Sequence, residues 1–275
     1  LHILAPLLSL GTPFDFLTEG YASTEILDRY KLVIVFQPAV YPWMRKALSE
    51  TKANILALGW AGTVSAPGPF QIDGEVSGKS FSQELSSAWP RGDQSKIGTT
   101  LFATGGRVQE RETIIQFKAG PHRLLRGLEN KTVEYAGDGL DGHALPYVSG
   151  LKGEALAVDV DGGVVYSILR EKNRSVIHFG AMPYFRDAKG KERGFVSEAD
   201  QKIFLKNILD ECGVEYFPDL GPLHVMKTSR YLLIENTGDK PWSGIPPKAA
   251  NQRSWSVDAA PVQILPLESV VLEVR

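Results

Sequence analysis

The sequence predicts an α/β protein: a mostly parallel, doubly wound sheet over residues 1–217, then a small antiparallel β domain over residues 218–275. Three observations carry this. The uninterrupted apolar runs Lys31-Leu32-Val33-Ile34-Val35-Phe36 and Asn54-Ile55-Leu56-Ala57-Leu58 have the character of strands buried on both faces. Between them Pro42 opens a helix through Trp43, Met44, Ala47 and Leu48, and strands alternating with helices at this spacing build parallel sheets. Beyond Pro218 strand patterns follow one another with turn-rich links and no helix.

Residues 1–10 read as the end of an amphipathic helix and residues 13–17 as a short strand. Residues 63–95, rich in Gly, Ser and Pro, read as long excursions. Strands are expected at residues 100–103 and 113–117. Residues 154–160 and 164–169 flank Asp161-Gly162, a strong signal for a two-residue hairpin. Residues 175–180 form a further strand. Ser197 caps a helix on which Ala199, Ile203, Phe204, Ile208 and Leu209 share a face, and Gly213 stops it. Strands at residues 224–227, 231–235, 262–265 and 269–274 complete a β domain small enough to need packing against a neighbour.

Composition excludes several function classes. A chain of 275 residues, 43% hydrophobic and 23% charged, is an ordinary globular protein with ample core. A net charge of −2 gives no polyelectrolyte character that would favour nucleic acid. The single cysteine, Cys212, excludes an internal disulfide framework and any multi-cysteine metal site. No run reaches the roughly 20 apolar residues that span a bilayer. The apolar opening is short, interrupted by Pro6 and without a basic start, so a helix end is preferred to a signal-peptide core. Cytoplasmic and exported locations both stay open.

The strand at residues 54–58 runs into the turn Gly59-Trp60-Ala61-Gly62. In many hydrolases of this architecture such a turn presents a Cys or Ser nucleophile. Neither Trp60 nor Ala61 can attack a carbonyl. The expectation is a scaffold of that kind without its reactive atom.

The order of elements resembles the class I glutamine-amidotransferase-like domain found behind the catalytic barrel of family 42 β-galactosidases. The matching pieces are Arg29-Tyr30-Lys31-Leu32-Val33-Ile34-Val35, the helix from Trp43, Ala53-Asn54-Ile55-Leu56-Ala57-Leu58 and Leu124-Leu125-Arg126-Gly127-Leu128. The strand at residues 175–180 and the helix ending at Cys212-Gly213 follow. The closing β domain matches through Arg230-Tyr231-Leu232-Leu233-Ile234-Glu235-Asn236 and residues 269–274. The resemblance implies a flavodoxin-like sheet with helices on both faces, and it departs from the family in two ways. The family's first strand, which should precede the opening helix, has no residues here, so this chain is expected to be the C-terminal part of a longer protein. The catalytic barrel, whose paired carboxylates cleave glycosides in that family, is absent from the chain.

An amidotransferase needs a thiol, an imidazole and an orienting carboxylate. Cys212 sits at a helix end, where the negative dipole raises a thiol pKa, and reads as a small buried hydrophobe. His178 lies near where the family's catalytic His strand ends but has no thiol to serve; a core or edge histidine is the better reading. Asp138-Gly139-Leu140-Asp141-Gly142-His143 lacks a full calcium or zinc pattern and reads as a polar loop. Asp159 to Gly163 is explained by its hairpin turn. Ser65 has no Gly-x-Ser-x-Gly around it, and no glycine turn matches a phosphate loop, so no cofactor or metal is expected. Trp60, Trp242 and Trp255 are the aromatics expected in loops, Trp242 in an irregular loop at residues 239–247. An exposed indole stacks on sugars or anchors an interface, but packing within this chain is the commoner explanation.

Three functions compete. The first is a non-catalytic accessory and oligomerisation region of a glycoside hydrolase. Its partners would be the catalytic barrel of the same parent protein and sister subunits. The second is an independent hydrolase or amidotransferase-like enzyme using His178 or His143. The third is a carbohydrate-binding module with Trp242 and Trp255 as platforms.

Overall fold

The two apolar runs lie side by side in a seven-stranded sheet; the second is buried as expected, whereas the first is the edge strand, where of Leu32–Val35 only Val35 is buried. The computed structural model describes residues 4–36, 39–40, 42–61, 64–65, 104–109, 111–135, 147–186, 192–194, 197–217, 220–228, 230–252, 256–257 and 260–274. In chain order its helices are α1 (Leu4–Ser9), α2 (Thr24–Leu27), α3 (Pro42–Glu50) and α4 (Glu198–Glu211). The chain gathers into two compact units. One holds Leu17–Pro121 and Leu128–Val196; the other holds Leu1–Phe16, His122–Gly127 and Ser197–Arg275.

The first unit contains β1 (Leu32–Val35), β2 (Ala39–Val40), β3 (Asn54–Leu58), β4 (Val64–Ser65), β5 (Gly105–Gln109), β6 (Thr113–Phe117) and β7 (Thr132–Tyr135). It continues with β8 (Tyr147–Leu151), β9 (Glu154–Val158), β10 (Val164–Arg170), β11 (Ser175–Phe179), β12 (Tyr184–Arg186) and β13 (Glu192–Gly194). The main sheet has the order β1-β3-β11-β10-β9-β6-β7. Within this sheet parallel pairing is confined to β1, β3 and β11, and outside it β2 pairs with β4 in parallel. The sheet's other four pairings are antiparallel.

The sheet is therefore mixed, which corrects the expectation of a mostly parallel one. The reason lies in the connections: a parallel neighbour needs a long crossover, such as α3 between β1 and β3, whereas the short turns after β9 and β10 force reversal. The reversal after β9 falls where expected, but not as a two-residue hairpin: Val158 pairs with Val164 and Gly162 N donates to Asp159 O at 3.0 Å, so residues 159–163 form the loop. The strand expected at residues 13–17 does not form; the Phe14 and Phe16 rings instead meet edge to face at 5.4 Å. The strand expected at residues 100–103 lies outside the described residues, as do all but residues 64–65 of the excursions at 63–95.

The two faces of the parallel strands bury different things. Val35, Ile55, Ala57 and Val176 pack with Leu27 of α2 and with Ala47 and Leu48 of α3. On the other face Phe179 meets Tyr166 and Phe117 at ring separations of 5.5 and 6.2 Å. At the N-terminal edge the polar groups interlock. Arg174 Nη1 donates to the carbonyls of Leu48 (2.6 Å) and Thr51 (2.9 Å), and its Nη2 to Ser49 (3.3 Å), at the end of α3. Asn54 Oδ1 accepts from Ser175 N at 2.8 Å, and its Nδ2 donates to Lys31 O at 2.9 Å.

The second unit is built on α4. Ser197 Oγ accepts from Asp200 N at 3.0 Å, and Gly213, at φ +64°, ends the helix as expected. Phe204, Leu205, Ile208 and Leu209 are buried, whereas Ala199 is exposed. β14 (Leu223–Lys227), β15 (Tyr231–Asn236) and β18 (Ser269–Glu273) form an antiparallel sheet. β16 (Trp242–Gly244) pairs with β17 (Val262–Ile264). Their core is Phe217, Leu223, Val225, Leu232, Ile234 and Ile264.

Arg174 is 8% exposed and places a cation against carbonyls that α3 cannot satisfy itself. Replacing it by Met is expected to cost about 2–4 kcal/mol, as for loss of charged hydrogen bonds at a buried site. Urea denaturation checks this; a wild-type midpoint would contradict the assignment.

Candidate functional site

In open α/β sheets ligands bind outside the carboxyl ends of the parallel strands, and β3 ends at the turn from Gly59. Gly59 leaves the strand at φ +58°, and its N–H reaches the carbonyls of Phe179 (2.9 Å) and Ala181 (3.2 Å). A nucleophile elbow presents its reactive side chain on a sharp turn at the end of a strand; here the next described element is the strand β4. The left-handed position holds a residue with no side chain, and an added Cβ would lie 3.0 Å from Met182 Sδ. Ala61 is fully buried. Trp60 packs, half-buried, against Val108, Val148 and Leu151.

His178, on β11, is completely buried. Its Nε2 lies 3.1 Å from Gly59 O and its Nδ1 3.0 Å from Thr104 Oγ1. A carbonyl only accepts, so Nε2 carries the proton and Nδ1 accepts from the Thr104 hydroxyl. Burial pushes the imidazole pKa down to about 4, although the Gly59 carbonyl works the other way. At neutral pH the ring is uncharged and its lone pair is engaged. A general base needs that lone pair within reach of a substrate proton, so this geometry makes His178 a tie between segments.

A second polar cluster was not legible as such in the sequence. Asp159 Oδ1 accepts from Asp161 N (3.1 Å) and Gly163 N (2.7 Å), bonds within the loop of residues 159–163. Its Oδ2 accepts from Ser149 Oγ (2.6 Å) and Tyr147 OH (3.2 Å), which fastens β8 to that loop. Arg111 donates through Nε to Tyr147 OH at 3.2 Å and pairs with Asp161. Burial works to raise the Asp159 carboxyl, but the bonds from Ser149, Gly163, Asp161 and Tyr147 outweigh it and hold the group below the usual range. A carboxylate so stabilised is a poor base for activating Ser149.

Cys212 is buried, and burial, with Glu211 adding to it, pushes its thiol up to about 12. It is inert as a nucleophile at neutral pH. Trp242 lies in β16 rather than in the irregular loop expected for residues 239–247, and it packs half-buried against the core of the C-terminal strands. The ladder to β17 and the burial of the indole override the turn-forming residues around it. Trp255 and His143 lie outside the described residues. Among the described residues no group of three or more His, Cys, Asp and Glu side chains could hold a metal ion. Nor is any described helix long and apolar enough to cross a membrane.

The sequence matches no family model and no curated protein. The fold does have relatives. The β-galactosidase of Rahnella sp. R3 shares 12% identity at a TM-score of 0.56, covering 99% of this chain and 36% of that one. That of Halorubrum lacusprofundi shares 14% at 0.56, covering 98% of this chain and 35% of its own. A catalytic mutant of Gan42B, a GH42 β-galactosidase from G. stearothermophilus, shares 10% at 0.54, with coverages of 99% and 35%. The chain thus shares the fold of part of these β-galactosidases. The match runs over 98–99% of this chain, which spans about a third of the length of those structures.

The His178 pKa sets a pH dependence. It lies at about 4 in the folded chain, below the 6.5 of a free imidazole. Between these values the unfolded chain binds more protons, so stability is complete above pH 6.5 and falls as pH drops toward 4, by roughly 3 kcal/mol. Urea midpoints measured across this window should decline in the wild type and flatten in His178→Gln. Equal slopes in the two would refute the assignment. Asp28 and Asp159, whose pKa values lie below 3.8, lose their contribution only at lower pH.

Proposed function

We propose that this chain is a non-catalytic accessory region of a glycoside hydrolase whose catalytic barrel is carried on another segment. In this reading it serves oligomerisation and shapes the surroundings of the barrel. The observation that carries it is the coverage: nearly the whole chain fits about a third of each β-galactosidase. The turn after β3 supports it, since the elbow position is Gly59 and the next residue, Trp60, is held in packing. His178 supports it too, being neutral, buried and bonded through both nitrogens. The reading takes the sheet as a glutamine-amidotransferase-like one, flavodoxin-like with helices on both faces. Its partners are the barrel of the same parent protein and sister subunits, without nucleic acid, membrane or cofactor.

The chain should show no turnover of nitrophenyl β-galactoside or glutamine above buffer. Turnover abolished by His178→Gln would overturn the reading in favour of an independent hydrolase. The parent reading frame should encode a barrel with the paired carboxylates that glycoside cleavage requires.

A further inference from the structure

β18 ends the β14-β15-β18 sheet, and its ladder to β15 fixes which of its backbone groups are used. Asn236 N donates to Glu268 O at 3.0 Å and Val274 N to Arg230 O at 2.8 Å. The even-numbered residues therefore turn their N–H and C=O toward β15. Ser269, Val271 and Glu273 aim theirs the opposite way, and among the described residues no strand pairs with that side. The side chains are incompletely covered as well. Val271 is 60% exposed. Val270, Leu272 and Val274 reach the core beneath yet stay only partly buried. β18 has no proline, lysine or bulge to blunt this edge; its one charge within the strand is Glu273, at the end. The opposite edge, β14, ends on Lys227, which pairs with Glu215 at 3.8 Å.

We infer that β18 is a self-association edge, pairing antiparallel with β18 of a second copy of this chain about a two-fold axis at Val271. This deepens the oligomerisation reading above and rests on it. Side chains must keep to their own faces, so odd-numbered residues must oppose odd-numbered ones. Only a register centred on Val271 engages all three outward-facing residues within the strand. Ser269 then faces Glu273 of the second copy, Val271 faces its own equivalent, and about six backbone bonds form. Charge agrees with this register, because each Glu273 carboxylate meets a serine hydroxyl and no like charges oppose. The apolar row Met226–Leu233–Val271 on the outer face continues across the axis into its copy.

Sedimentation velocity on the 275-residue chain tests the inference. The wild type is expected to be a dimer that dissociates on dilution. Val271→Lys, which sets two ammonium groups against each other on the axis, is expected to be a monomer with unchanged circular dichroism. Should that variant fail to fold, Val271→Cys decides. Its paired Cα atoms would lie about 5.5 Å apart, within disulfide reach, and mild oxidation should yield covalent dimers. Leu267→Cys, exposed but off the axis, should not. A wild type that stays monomeric at every concentration overturns both the edge and the oligomerisation reading. A dimer that survives Val271→Lys, or that gives no cross-link with Val271→Cys, overturns the edge alone.

Discussion

The parallel pairing of β3 with β11 is pinned at both ends by polar groups, and the rest of the first unit is arranged around that pair. At one end the neutral imidazole of His178 reaches from β11 to the carbonyl of Gly59, while Gly59 N–H returns to Phe179 and Ala181. At the other end Asn54 accepts from Ser175 N, and Arg174 holds the end of α3. His178 is fully buried and the Arg174 side chain nearly so, and a buried polar atom without a partner costs more than the bond it makes contributes. Slippage of one strand by a residue would orphan several of them at once. Register is thus fixed by polar satisfaction as much as by apolar fit.

The same imidazole ties the pair to the next layer. Thr104, which donates to Nδ1, offers its carbonyl to Lys152 N, just beyond β8. β8 in turn meets the end of β11: Val148 N donates to Gly180 O at 2.7 Å, and a Cβ at residue 180 would collide with the Val148 carbonyl. Asp159 completes the arrangement by holding Tyr147 and Ser149. Titratable groups that could be mistaken for chemistry are occupied in joining strands.

Legibility in the sequence followed the physics of each element. β1, β3, β11, α3 and α4 were readable because their apolar periodicity is local and their caps, Pro42, Ser197 and Gly213, are distinct. The reversal at Asp161-Gly162 was readable for the same reason. β5 and β8 were not, since Gly105-Gly106 and Ser149-Gly150 dilute the pattern and only their mutual pairing makes them strands. The direction of the sheet was misjudged because the first two strands, joined by α3, stand for a minority of the pairings. At the site, the lack of a nucleophile was visible in Gly59-Trp60-Ala61. The partners of His178 were not, since Thr104 lies 74 residues away and nothing local marks it.

Gly59 has a consequence for anyone wishing to install a reactive residue in this scaffold. Changing one codon at the turn would not suffice. A cysteine or serine there would take up a left-handed backbone that side chains dislike, and its Cβ would press on the sulfur of Met182. The imidazole below would still be committed to Thr104 and the main chain. A reactive side chain at position 59 would therefore need accompanying changes at Met182 and at Thr104.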